Sequence, residues 1–149
     1  MFSFLKKQKK NGLNYDTKLI KKFHKDHEKL VKLITKISKA IEEENSKKTK
    51  ALLAQLKLEI LGHFMEEDIK LYRYLKKYYA DNEDTKITIK MFEESIKTIQ
   101  RDVIDFLDYY IKEHNPLDKA FKEKFYNIVD AFGTRIKTEE SNLYTLYLP

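Results

Sequence analysis

Only three glycines and two prolines occur among 149 residues, so the chain has very little with which to make tight turns. A sheet protein of this length needs many such turns, each drawing on residues that tolerate positive φ or fix the backbone. Lys, Glu, Leu and Ile fill the space between, and these are residues that lose little on entering a helix. The chain therefore reads as all-α, and its architecture follows from where the apolar residues repeat.

Four stretches carry apolar side chains at steps of three and four, the period of one helix face. The first begins near Asp16 or Thr17 and runs to about Glu44, with Ile20, Phe23, His27, Leu30, Ile34, Ile37 and Ile41 in line. The second opens at Ser46 or Thr49 and aligns Leu53, Leu56, Ile60, His63, Glu67, Leu71, Tyr74 and Tyr78. A polar break at Asp81-Asn82-Glu83-Asp84-Thr85 introduces the third, with Phe92, Ile96, Ile99, Val103, Phe106 and Tyr110 inward and no histidine or carboxylate among them. Asn115-Pro116 ends it, since the residue before proline is pushed out of the helical region. The fourth runs from about Leu117, with Phe121, Phe125, Ile128, Phe132, Arg135, Glu139, Leu143 and Leu146 on one face. Long amphipathic helices with short connections pack most simply as an up-down-up-down antiparallel four-helix bundle. A basic tail over residues 1–14 precedes a single bundle domain over residues 15–149.

Five polar side chains interrupt the apolar stripes: His27, His63, Glu67, Arg135 and Glu139. All are expected to face the bundle axis, from three helices and at similar heights. An ionised carboxylate buried without a partner costs several kcal/mol, so Glu67 and Glu139 must be paired, protonated or bound to a cation. Two stretches also repeat each other. Ile60-Leu61-Gly62-His63-Phe64-Met65-Glu66-Glu67 followed by Leu71-Tyr72 returns as Phe132-Gly133-Thr134-Arg135-Ile136-Lys137-Thr138-Glu139 followed by Leu143-Tyr144, with arginine in place of histidine.

The Asp26-His27 pair with Leu30, and His63-Phe64-Met65-Glu66-Glu67 with Leu71-Tyr72, resemble the first- and second-helix motifs of the hemerythrin-like (HHE cation-binding) domain family. The likeness spans roughly Leu19 to Tyr144. In that family a four-helix bundle holds a non-haem di-iron centre that binds oxygen or senses oxygen, iron or redox state. The resemblance implies metal-ligand roles for His27, His63, Glu67 and Glu139, with Glu140 as a near substitute. The family's third-helix histidines fall near Met91 and Ser95, and its fourth-helix histidine falls on Arg135. Arginine stays protonated and offers no lone pair to a metal, but its fork can bridge carboxylates. Arg135 is accordingly expected to displace at least one iron and to neutralise Glu67 or Glu139. Two states of the pocket stay open: a four-ligand site for one iron, zinc or manganese ion, and a metal-free ion network that fixes helix register.

Gly62-His63-Phe64, and Arg135 followed by Glu139, are also similar to segments of the Rsd/AlgQ family of sigma-factor regulators. That likeness implies a different function, a metal-free helical bundle that binds a regulatory protein partner.

Composition narrows the remaining classes. Cysteine is absent, which excludes disulfides and thiol chemistry and fits a reducing, cytoplasmic setting. The net charge of +6 is spread among interleaved acids and bases, so no nucleic-acid face is expected. Lys6, Lys7, Lys9 and Lys10 beside Phe2, Phe4 and Leu5 suit weak contact with an anionic membrane surface. No apolar run reaches the roughly 18 residues of a transmembrane helix, and the opening residues do not read as a secretory signal. No phosphate loop, nucleophile elbow or metalloprotease motif is present, so an enzyme is not expected. His24 reads as a flank residue, His114 as a helix-end residue, and the tyrosines as core and rim packing.

Overall fold

The computed structural model describes residues 13–149, and among these it contains helices and no strands. Four rods form the bundle. The first is α1, Leu19–Glu42. The second starts as α2, Ser46–Glu66, passes without interruption through a π-helical segment, Glu67–Tyr72, and finishes as α3, Arg73–Tyr78. The third is α4, Glu83–Ile111. The fourth is α5, Lys119–Thr138, which runs into a second π-helical segment, Glu139–Leu143, and a short 3-10 turn, Tyr144–Leu146. The basic lysines of the tail lie outside the described residues, whereas Leu13 packs into the core.

Side-chain amides and carboxylates start three of the four rods. Asn45 accepts from the Lys48 amide at 3.1 Å, Asn82 from Thr85 at 3.1 Å and Asp118 from Phe121 at 3.0 Å. Each satisfies a donor that has no partner within its own first turn. The third rod is stopped by a cation: the Lys50 ammonium donates to the carbonyls of Tyr110, Lys112 and Asn115 at 2.6–2.7 Å. These carbonyls gather at the negative end of the helix, where a positive charge is favoured.

The expected stripes fill the core, with shifts of one position. Phe23, Leu30 and Ile37 are buried as read, while Leu19 and Leu33 take the interior ahead of Ile20 and Ile34, which are partly buried. The third stripe is corrected in one respect. Glu93 is buried there, paired with Lys76 at 2.7 Å, so that face does hold a carboxylate. An aromatic stack of Phe106, Tyr110, Phe121 and Phe125 packs one end of the bundle. At the other end Tyr15, Tyr74 and Tyr147 cluster, and the Tyr147 hydroxyl accepts from the Asp16 amide at 2.8 Å. The polar side chains lie between these two aromatic layers.

Candidate metal centre

His27, His63, Glu67 and Glu139 converge, with one donor atom from each lying within 4.8 Å of all the others. All four are almost fully buried, at 1–5% exposure. His27 comes from α1 and His63 from α2, one turn before Glu67. Glu67 and Glu139 each occupy the first position of a π-helical segment.

The π-helical geometry decides what else reaches the centre. In an α-helix a residue five positions on lies about 140° around the axis, but a π-helical stretch, with its i→i+5 hydrogen bonds, is wound more loosely and brings it back toward the same face. Glu67 and Tyr72 are five apart, as are Glu139 and Tyr144, and all four side chains are buried. The Tyr144 hydroxyl donates to Glu67 Oε2 at 2.6 Å and lies 3.2 Å from His27 Nε2. The Tyr72 hydroxyl accepts from the Arg135 guanidinium at 2.9 Å. Helical periodicity alone could not place these tyrosines; the common Glu-x-x-x-x-Tyr spacing of the two repeats was the available signal.

Outside the cluster, a carboxylate holds each imidazole. His27 Nδ1 meets Glu140 Oε2 at 2.8 Å, and His63 Nδ1 meets Asp26 Oδ2 at 3.0 Å. Both rings are thereby fixed with Nε2 turned inward, the arrangement that orients and strengthens imidazole ligands. Asp26 thus serves the histidine of the neighbouring rod and not His27 beside it. Glu140 sits at the rim, where it also pairs with His24 at 3.1 Å, and so meets the His27 ring from outside the four-residue cluster. Lys22 bonds to Asp26 and Glu66, closing the rim on that side.

Among the described residues, four buried side-chain polar atoms have no hydrogen-bond partner: His63 Nε2, Glu67 Oε1, Glu139 Oε2 and Arg135 Nε. His27 Nε2 lies 3.4 Å from Glu139 Oε1, and His63 Nε2 lies 3.4 Å from Glu67 Oε2. These separations exceed ordinary hydrogen-bond lengths. They match the edge of a tetrahedron, about 3.4 Å, whose corners stand about 2.1 Å from a central ion. Two imidazoles and two carboxylates make a nitrogen and oxygen set suited to iron, zinc or manganese. The donor set fits a metal ion in both chemistry and spacing.

Arg135 occupies the other side of the centre. It is 6% exposed, donates to the Phe92 carbonyl at 3.0 Å as well as to Tyr72, and lies over the Phe92 ring at 5.2 Å. Its Nε stands 3.6 Å from Glu139 Oε2. The expected neutralisation therefore falls on Glu139, and no carboxylate-to-carboxylate bridge forms. Glu139 faces two ways, with Oε1 toward His27 and Oε2 toward the guanidinium. Met91 and Ser95 both point to solvent, so neither is a vacated ligand position. That rod offers the centre Phe92 and its carbonyl instead.

Charge and burial set the protonation of the metal-free cluster. Burial disfavours the His63 imidazolium, but Glu67 and Asp26 outweigh it and push the group up to about 9. His27 is raised in the same way, burial being overcome by Glu139 and Glu140. Burial pushes Glu139 up to about 7, helped by the neighbouring Glu67 charge. Burial also drives the Tyr144 phenol far up, so it stays a donor. A groove of ≈ 430 Å³ between α2 and α4, lined by Phe64, Met65, Glu93 and Ile96, reaches from solvent to Glu67 and Tyr72.

The family model described as Hemerythrin HHE cation binding domain matches residues 18–147, nearly all of the chain. No curated protein and no solved structure matches it.

Proposed function

The chain belongs to the hemerythrin HHE cation-binding domain family, and on that premise we propose that it is a non-enzymatic protein with a one-ion centre, serving iron storage or the sensing of iron, oxygen or redox state. His27, His63, Glu67 and Glu139 would hold a single iron ion. Arg135 supplies a permanent positive charge where a second ion would otherwise balance Glu139. When bound, the iron supplies a redox-active Lewis acid, and the residues around it keep it dry and fix its ligands. Asp26 and Glu140 orient the imidazoles, while the groove between α2 and α4 leaves a path from solvent.

The observation that carries this reading is the convergence of two imidazoles and two carboxylates from three rods, with His63 Nε2 and Glu67 Oε1 left unpaired among them. A self-sufficient ion network would pair its own donors and acceptors, because each buried polar group left alone costs about 1–3 kcal/mol. Here His63 Nε2 and Glu67 Oε1 lack partners, and the pairs His63 Nε2–Glu67 Oε2 and His27 Nε2–Glu139 Oε1 stand at the 3.4 Å spacing that one ion would satisfy. The same atoms argue against a metal-free regulatory bundle.

Elemental analysis of protein purified without chelators or a metal-affinity tag tests it. Close to one iron per chain is expected, and less than about a tenth of an equivalent of iron, zinc or manganese would overturn the reading.

A further inference from the structure

We propose that Tyr144 is a fifth protein ligand of the iron, so that the centre has two imidazole, two carboxylate and one phenolate donor. The inference rests on the one-ion reading and adds to it a residue that neither repeat's His/Arg-and-Glu pattern contains.

The first argument is position. Tyr144 Oη is 3.2 Å from His27 Nε2 and 2.6 Å from Glu67 Oε2, two donor atoms carried by different rods. Donors at right angles, each about 2.1 Å from one ion, lie about 3.0 Å apart. The 3.2 Å separation from His27 Nε2 is close to that of a neighbouring corner, and the 2.6 Å contact with Glu67 Oε2 is a hydrogen bond that would open when the phenol gives up its proton. The second argument is rigidity. The ring stacks on His27 with centroids 5.8 Å apart and an interplanar angle of 14°, and it packs against Phe23 at 5.6 Å. Its hydroxyl is aimed by packing and by the π-helical turn before it, with no freedom to swing to solvent.

The third argument is what becomes of the hydroxyl on metal uptake. An ion on His27 Nε2 and Glu67 Oε2 claims lone pairs that now face the Tyr144 hydroxyl. A phenol left as a bystander would lose its best partners in a dry site. Coordination resolves this: the O–H bond is exchanged for an O–Fe bond, and the proton leaves to solvent. Three anionic oxygens then face the metal, a combination that favours ferric over ferrous iron.

Ferric iron added to the metal-stripped full chain provides the test, read by visible absorption and by resonance Raman excited within any band found. A phenolate-to-iron charge-transfer band with enhanced tyrosine ring modes is expected. Tyr144→Phe should abolish the band while iron still binds, and Tyr109→Phe, at an exposed tyrosine, should leave it unchanged. Tyr144→His serves as a second variant should the phenylalanine form fail to fold, and it too should lose the band. Iron bound at the centre without the band, or a band that survives in both Tyr144 variants, overturns the fifth ligand and leaves the four-ligand centre standing. No iron bound by the unaltered chain overturns both.

Discussion

Tyr72 and Tyr144 hold equivalent places in the two sequence repeats, yet each hydroxyl engages the other repeat. Tyr72 accepts from Arg135 at 2.9 Å, and Tyr144 donates to Glu67 at 2.6 Å. The exchange divides the centre into two lobes. One contains His27, His63, Glu67 and Tyr144; the other contains Arg135, Tyr72 and the Phe92 carbonyl. Glu139 has one oxygen toward each. The histidine-to-arginine change between repeats therefore separates a lobe able to take a metal ion from one already filled by a cation.

Arg135→Leu tests whether the guanidinium is the buried counter-charge. Removing it strands Glu139 and leaves Tyr72 and the Phe92 carbonyl without their donor, a loss of about 3–5 kcal/mol in the metal-free protein. A bound ion would still balance Glu139, so the metal-loaded protein should lose less. Urea unfolding with and without iron measures both values. Equal losses in the two states would show that the arginine acts by packing alone.

Arg135→His tests the filled lobe from the other direction. The substitution removes a fixed cation and places a nitrogen donor near Glu139 Oε2 and Tyr72. Iron content should then rise from about one toward about two ions per chain, as in bundles whose facing helices supply ligands for a pair. Elemental analysis of the loaded variant reads this directly. A count unchanged from the parent protein would mean that this lobe lacks the donors for an ion even when vacated.

How much of this was legible in the sequence depends on whether a residue obeys the helical period. His27, His63, Glu67, Arg135 and Glu139 stand in line with buried apolar neighbours, and the structure buries all five. Tyr72 and Tyr144 break that period because the two π-helical segments shift the register, and no local residue choice announces such a segment. Met91 and Ser95 were misplaced for a related reason. The buried carboxylate of the third rod, Glu93, pairs with Lys76, and the rod's contribution to the site is largely a backbone carbonyl, which any residue provides. Asp26 was visible as part of a motif, but its partner lies 37 residues away on the next rod.

The stability of the metal-free protein should fall as pH rises. His63 is held up to about 9 in the folded chain, against about 6.5 in an unfolded one. The folded state thus retains a proton that the unfolded state has released. This contribution is complete below about pH 6.5 and is lost as pH approaches 9, on the order of 3 kcal/mol in all. Glu139, raised to about 7, acts in the same direction over a lower range. Urea midpoints of the stripped protein from about pH 6 to 9.5 should decline, and the decline should shrink in His63→Gln. A midpoint that rises over this range would show that the imidazole is buried neutral.

Asp26→Asn and Glu140→Gln separate supporting groups from ligands. Each replacement keeps the side-chain size and one oxygen acceptor but removes the charge that fixes the tautomer and strengthens the imidazole. Loss of such a partner typically lowers metal affinity 10- to 100-fold, roughly, without abolishing binding. Asp26→Asn acts through His63 at 3.0 Å and Glu140→Gln through His27 at 2.8 Å, so on different rods they should weaken binding independently. His63→Gln and Glu67→Gln, by contrast, remove donors outright and should lower affinity much further. Competition titration against a chelator of known strength ranks the four variants. If Asp26→Asn or Glu140→Gln binds as weakly as the ligand variants, that carboxylate itself coordinates the ion; if both bind like the parent chain, the inward aim of the two imidazoles is set by packing against Phe23 and Tyr144 alone.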